Sequence, residues 1–266
     1  MKYRYDGNLN ASENKHNKNG ICYYVRGTVT VAGRTYERYA IQTHFVGRGE
    51  DYVELIKRYV SELYQEGDLL SISEKVISMC QDNVVTKSEV KLSWAARFLS
   101  RFGKKTDSGI GITEPYKLQL MIDMKGLPRV LWAGLAGVFG KIFRHPGVFY
   151  EILGNDAAGI DGFYAHSAFD DYHDMAVLLP REPEKVCEDI WWSCNIPSVV
   201  VDANDIDVTI LGKSDILQTY PDEFLRCLIL DNPAGQDDEC TPFILIRDIT
   251  GKVPQPYFPP KAVTVS

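Results

Sequence analysis

Residues 21–46, ICYYVRGTVTVAGRTYERYAIQTHFV, alternate β-branched or aromatic residues with polar ones on both sides of a turn at Gly33. A period of two sends successive side chains to opposite faces, so this stretch predicts a β-hairpin and a following strand. GEDYVELIKRYVSELYQEG comes next, with apolar Val53, Leu55, Ile56, Tyr59, Val60 and Leu63 at helical spacing. Acidic residues start that helix and Gly67 stops it. DLLSISEKVIS then reads as a short strand and a turn.

Further along, 89–103 and 116–143 have helical character, and the joint GKKTDSGIGITEP between them has the composition of a flexible loop. Residues 146–160 form a second joint. Strands and helices then alternate: a strand at 174–179, a helix at 183–194, a strand at 197–202, a helix at 221–230 and a strand at 242–247. The tail VPQPYFPPK is proline-rich and must be extended or turned. Residues 1–20 are Asn- and Lys-rich and are expected to be a flexible N-terminus. Residues 21–266 are then one mixed α/β (α+β) domain with a central helical insert at about 88–145. A chain of 266 residues can bury a sizeable core.

The formal net charge of −7 gives no basic field for nucleic acid. An acidic protein that handles phosphates needs metal ions to offset the repulsion. Six cysteines, at 22, 80, 187, 194, 227 and 240, form no CxxC pair and no zinc spacing, and are expected to be buried reduced thiols. The start, MKYRYDGNLN, lacks the apolar core of a signal peptide, so a cytoplasmic enzyme is expected. VLWAGLAGVFG, residues 130–140, is too short to span a bilayer, which takes about 20 residues. It reads as a small-residue helix packed closely on a neighbour or a second subunit. The alternative is a helix lying on a membrane surface.

Three loops beside apolar strands carry the candidate chemistry. GNDAAGIDGFYAH places Asp161 after a Gly-rich turn. PSVVVDANDIDVTILG ends a β-branched strand in Asp202, with Asn204 and Asp205 beyond. DNPAGQDDECTPFILIR sets Gln236, Asp237, Asp238 and Glu239 before a strand, with Gly235 open to close phosphate approach. Carboxylates at strand ends commonly line the ligand crevice of such folds. Magnesium and manganese take the oxygen ligands these residues supply. Asp, Asn and Gly are also ordinary turn residues, and each loop taken singly is a plain surface turn.

QEGDLLSISEKVIS, AAGIDG, VVVDAND and AGQDDECTPFILIR stand in this order. Together they resemble the coenzyme F420-0:L-glutamate ligase family, the γ-glutamyl ligases of the deazaflavin coenzyme. The resemblance covers roughly 40–250, with the helical stretch 88–145 poorly matched. It implies a γ-glutamyl-ligase-like fold of two interlocked subdomains and a homodimer. Gly67, Asp68, Ser73, Glu74 and Lys75 would stand where the family meets its nucleotide. Asp161 and Asp202 would hold the first Mg2+ or Mn2+. Gln236 would serve the second, with Asn204 or Asp205 helping. Gly235 to Pro242 would be the phosphate loop, and Lys75 would lie against phosphates or developing charge. The implied reaction uses GTP or ATP to activate a small carboxylate as an acyl phosphate, which an amino acid, glutamate in the family, attacks to form an amide. No nucleic acid and no membrane partner is implied.

Three positions depart from the family pattern: Met79 replaces a second Lys, Tyr164 replaces an Asn, and Ala203 replaces a hydroxyl residue. The alternative reading is therefore a non-catalytic nucleotide- or metabolite-binding homologue. His145, His166 and His173 have no spacing that ties them together, although His166 lies closest to Asp161. Trp191 and Trp192 sit on a predicted helix, where burial in a core or interface is expected.

Overall fold

The computed structural model describes residues 13–102, 113–142, 147–163, 171–203, 208–235 and 239–255. The chain divides into two compact units. The first takes the residues up to Asp82 and those from Pro180 onward, and the second is Asn83–Leu179. Helices and strands mix in both, as the sequence predicts. Elements are numbered in chain order.

The first unit begins with β1 (Lys15–Lys18), β2 (Ile21–Val31), β3 (Arg34–Ile41), α1 (Tyr52–Tyr59), β4 (Leu69–Ser73) and α2 (Glu74–Cys80). After the second unit it resumes with α9 (Pro183–Cys194), β8 (Ser198–Ala203), β9 (Val208–Lys213), α10 (Asp222–Ile229) and β10 (Phe243–Asp248). Its seven strands lie in the order β1-β2-β3-β10-β4-β8-β9. Neighbours run antiparallel except β4 and β8, which run parallel. The predicted hairpin is β2–β3, and its two turn residues, Ala32 (φ 50°) and Gly33 (φ 77°), both take the left-handed backbone that a tight hairpin with matching twist requires.

Alternation along the strands divides the core in two. Tyr39, Ile41, Leu70, Ile72, Val200, Phe243 and Leu245 face one way and pack against residues of α1, α2 and α9. Tyr24, Ala40, Val199, Val201, Ile244 and Ile246 face the other way and pack against Leu225, Leu228 and Ile229 of α10. Local chemistry sets the helix ends. The Asp51 carboxylate accepts from the N–H groups of Val53 (2.8 Å) and Glu54 (3.2 Å) at the start of α1. Pro183 opens α9 and Asn195 closes it in the left-handed conformation.

The second unit holds β5 (Val84–Thr86), α3 (Trp94–Leu99), α4 (Pro115–Lys125), α5 (Leu127–Ile142), α6 (Val148–Leu153), α7 (Asn155–Ala158), β6 (Asp161–Gly162), α8 (Asp171–Asp174) and β7 (Met175–Val177). Its small antiparallel sheet has the order β5-β7-β6. Leu118 and Met121 of α4, Val130 and Ala133 of α5, Leu153, Ala157, Ile160 and Phe163 form its core.

Several local readings are corrected. The turn expected after DLLSIS is the helix α2, because Ile77 and Cys80 find buried places against the sheet. The helix expected over 116–143 is two, since Gly126 at φ 81° breaks it. Lys15–Lys18 pairs with β2 rather than fraying. Trp192 is 81% exposed, not core. All six cysteines are free, but only Cys80 and Cys187 are buried, and burial pushes both thiols up to about 12.

Asp68 is a buried structural residue. Its carboxylate takes two bonds from Arg247 (2.8 and 2.6 Å) and one from the N–H of Gln65 (2.9 Å). Arg247 also reaches the carbonyl of Leu63 at 2.9 Å. Removing one partner of a buried pair strands the other in low dielectric, at about 3–5 kcal/mol. Asp68→Ala is therefore expected to lower stability by about that amount in urea unfolding. A change below about 1 kcal/mol would show the pair to be dispensable.

Candidate functional site

The site follows from strand direction. β4 and β8 are parallel, with Leu70 opposite Ser198 and Ser73 opposite Val201, so both end on the same edge of the sheet. Asp202 is therefore at that edge, one residue beyond the partner of Ser73. β10 runs the other way between β3 and β4, with Phe243 opposite both Ile41 and Ile72, so it begins there. The N–H of Ser73 donates to the carbonyl of Pro242 at 2.9 Å, which fixes the residues entering β10 to the residues leaving β4. Ser73, Glu74 and Lys75, half-buried at the start of α2, share this edge with Asp202, Gly235 and Glu239.

The loop before β10 is held from below by a buried ion pair. The Arg26 guanidinium, at an irregularity in β2 where Gly27 takes φ 72°, donates to the Glu239 carboxylate. Glu239 is fully buried and Arg26 nearly so. Arg26 also lies 5.4 Å from the centre of the Tyr24 ring, and its carbonyl accepts from Arg38 at 3.0 Å. Arg38 in turn pairs with Asp231. The backbone joins in. Thr43 N–H donates to Cys240 O (2.8 Å), Gln42 Nε2 donates to Glu239 O (3.3 Å), and Gly235 N–H donates to Asn232 O (3.1 Å). Gly235 is required twice over: its φ is 80°, and an added Cβ would run into the Glu239 carboxylate.

These contacts separate the roles of the expected residues. Glu239 is turned into the protein against Arg26 and anchors the loop. Asp68 belongs to the Arg247 pair at the start of β4, the end opposite Ser73. Asn204, Asp205, Gln236, Asp237 and Asp238 lie outside the described residues, as do Tyr164, His145 and His166. Only residues 113–115 of the glycine-rich joint are described.

Asp161 stands in the second unit, half-buried on β6, opposite Val177 of β7. The glycines around it are demanded by packing. A Cβ on Gly159 would sit 2.5 Å from the Leu179 side chain, and one on Gly162 would strike the carbonyl of Met175. Lys117 on α4 is buried and feels the Asp161 carboxylate. Burial drives its ammonium pKa down and Asp161 opposes this, with a net lowering. Neither Lys117 nor Arg26 is marked in the sequence. Lys117 occupies a helix position one residue from apolar Leu118, which is the only hint that a charge is buried there.

Asp161 and Asp202 are hard oxygen donors of the kind magnesium and manganese take. Among the described residues no cluster of three or more His, Cys, Asp or Glu is placed to hold a metal.

The F420-0:gamma-glutamyl ligase family model matches residues 40–195, more than half of the chain. The chain belongs to this family, whose name specifies γ-glutamyl ligation. The match takes in Ser73, Glu74, Lys75 and Asp161 and ends before Asp202 and the loop into β10. The place of those later residues rests on the sheet geometry. No curated protein matches the chain.

Glu239→Ala removes the carboxylate against which Arg26 is set. It is expected to destabilise the protein by about 3–5 kcal/mol, read from chemical unfolding. An unchanged midpoint would mean that the loop is held by its backbone bonds alone.

Proposed function

We propose that the protein is a nucleotide- and divalent-metal-dependent amide ligase that joins glutamate or another amino acid to a small carboxylate. The observation that carries this reading is the convergence of the β4 end, the β8 end and the β10 entry on one sheet edge, in a chain of the γ-glutamyl ligase family. GTP or ATP is the phosphoryl donor. A substrate carboxylate oxygen attacks the γ-phosphorus, the bond to the β-phosphate oxygen breaks, and an acyl phosphate and a nucleoside diphosphate result. The amino group then attacks the acyl carbon, loses a proton, and expels inorganic phosphate as the amide forms.

Mg2+ or Mn2+, when bound, supplies charge neutralisation for the triphosphate. The carboxylates we assign to metal are Asp202 and Asp161, and Gln236 is assigned to a second ion. The loop from Gly235 to Pro242 is the segment we assign to the phosphates, with backbone N–H groups as their donors. Ser73, Glu74 and Lys75 border the nucleotide. Lys75 supplies positive charge toward the transferred phosphoryl group, where a preplaced cation acts most strongly. Asn204 or Asp205 assists at the reacting carboxylate, and Asp237 and Asp238 complete the phosphate loop.

One observation favours a second reading, a homologue that binds nucleotide without turnover. Met79, where the family places a second lysine, is only 2% exposed and packs into the core, so no cation can be presented from that position. Phosphate release in the presence of mixed carboxylates and amino acids separates the two readings, because a binding homologue releases none.

Asp202→Asn is nearly isosteric and leaves β8 intact. It is expected to reduce metal-dependent nucleotide binding by about a hundredfold or more, measured by calorimetry with GTP or ATP and manganese. Equal affinity in the variant and the parent would reject Asp202 as a metal ligand.

A further inference from the structure

The middle of α4 is buried on every side. Lys117, Leu118, Gln119, Leu120 and Met121 follow one another, and all five are buried. A helix turned wholly inward is ordinarily apolar all round, and a polar side chain on it must find partners. Gln119 has them: its Oε1 accepts from the N–H of Ser93 at 2.9 Å, and its Nε2 donates to Asp123 at 2.7 Å. Other cations of the second unit have them too. Lys87 reaches Asp174 at 3.1 Å, Lys125 reaches Asp156 at 2.6 Å, and Arg129 reaches the carbonyl of Ile152 at 2.7 Å. Lys117, only 7% exposed, is the exception. Among the described residues no hydrogen bond or ion pair reaches its ammonium. The charge that acts on it is the Asp161 carboxylate, which offsets only part of the cost of burial.

A lysine stem packs among apolar neighbours as a methionine would, so packing alone does not call for lysine here. What lysine adds is the charge, and a buried charge without a partner works against folding. A charge kept at that cost marks a group that a ligand engages. An ammonium has three donors and no acceptor, so the ligand must bring oxygens. The surroundings favour a charged one. Tyr116 and Phe163 stand one and two residues from Lys117 and Asp161, with ring centres 5.7 Å apart, and Phe163 is 2% exposed. Beside such walls the local dielectric is low, and a contact between ammonium and oxyanion is at its strongest. Asp161 is the carboxylate of this unit that we assign to a divalent ion. Under the ligase reading, the anion that such an ion carries is the phosphoryl group.

We propose that Lys117 is a substrate-binding residue whose ammonium takes the oxygens of a phosphoryl anion at Asp161. The proposal rests on the ligase reading for the identity of the anion alone. The test uses the full chain without nucleotide or metal, so its outcome is separate from phosphate release and from the Asp202→Asn measurement. Lys117→Met keeps an unbranched stem and removes the charge. It is expected to raise the melting temperature by about 2 °C or more, because an uncompensated buried charge is gone. In calorimetry with pyrophosphate, the same variant is expected to bind about tenfold more weakly than the parent, or worse. Lys125→Met, which removes a cation of the same helix already paired with Asp156, should leave pyrophosphate binding unchanged. A lower melting temperature for Lys117→Met would overturn the proposal, since the ammonium would then have a partner within the fold. So would pyrophosphate affinity equal to that of the parent, or an equal loss in Lys125→Met. Acetate and glutamate form the second arm. Loss of their binding in Lys117→Met with pyrophosphate binding intact would make the anion a carboxylate and reject the phosphoryl assignment.

Discussion

The parallel pairing of β4 with β8 is the constraint on which the candidate site depends. In a sheet otherwise antiparallel, they are the one pair of neighbouring strands among the described residues that run the same way and end side by side. Parallel neighbours cannot be joined by a tight turn, and here the connection contains the whole second unit and α9. β10, antiparallel to β4, then delivers its entry loop to the same edge. Three segments far apart in sequence are joined there by backbone bonds. The apolar residues of β4, β8 and β10, buried on both faces, hold that register, since a slip of one residue would turn Leu70, Val200 and Leu245 from one core to the other.

The Arg26–Glu239 pair adds shape to this edge. A loop bearing Gly235 and three consecutive acidic residues would otherwise repel itself. Turning Glu239 inward onto Arg26 takes one of those charges out of play and fixes the chain just before β10. A buried ion pair is a poor source of net stability, because desolvation offsets the attraction. Its value is positional, as it permits one loop conformation and penalises others. The same reasoning applies to Asp68 and Arg247 at the opposite end of β4.

Periodicity made most of the first unit legible. The alternation at 21–46, the helical spacing after Gly49 and the β-branched run 199–201 correspond to β2, β3, α1 and β8. Long, strongly periodic segments report their own state. β1, by contrast, is four polar residues that become a strand only through pairing with β2, and α2 is a helix only because the sheet offers Ile77 and Cys80 a buried surface. In the site, the strand-end position of Asp202 was readable from VVVD. The inward turn of Glu239 was not, because its partner lies 213 residues away and isolated charges carry no period. The burial of Lys117 was hidden for the same reason. α5 was half legible: its small residues pointed to close packing, but only tertiary placement shows which side remains outside.

The central claim is that the β4–β8–β10 edge binds nucleotide with a divalent ion. The most direct measurement is a crystal structure with manganese and GTP, using anomalous scattering to locate the metal. The account predicts manganese on the Asp202 carboxylate, with the phosphates beside Ser73, Lys75 and the Gly235 backbone. Manganese and nucleotide bound away from Asp202, with that edge empty, would contradict it.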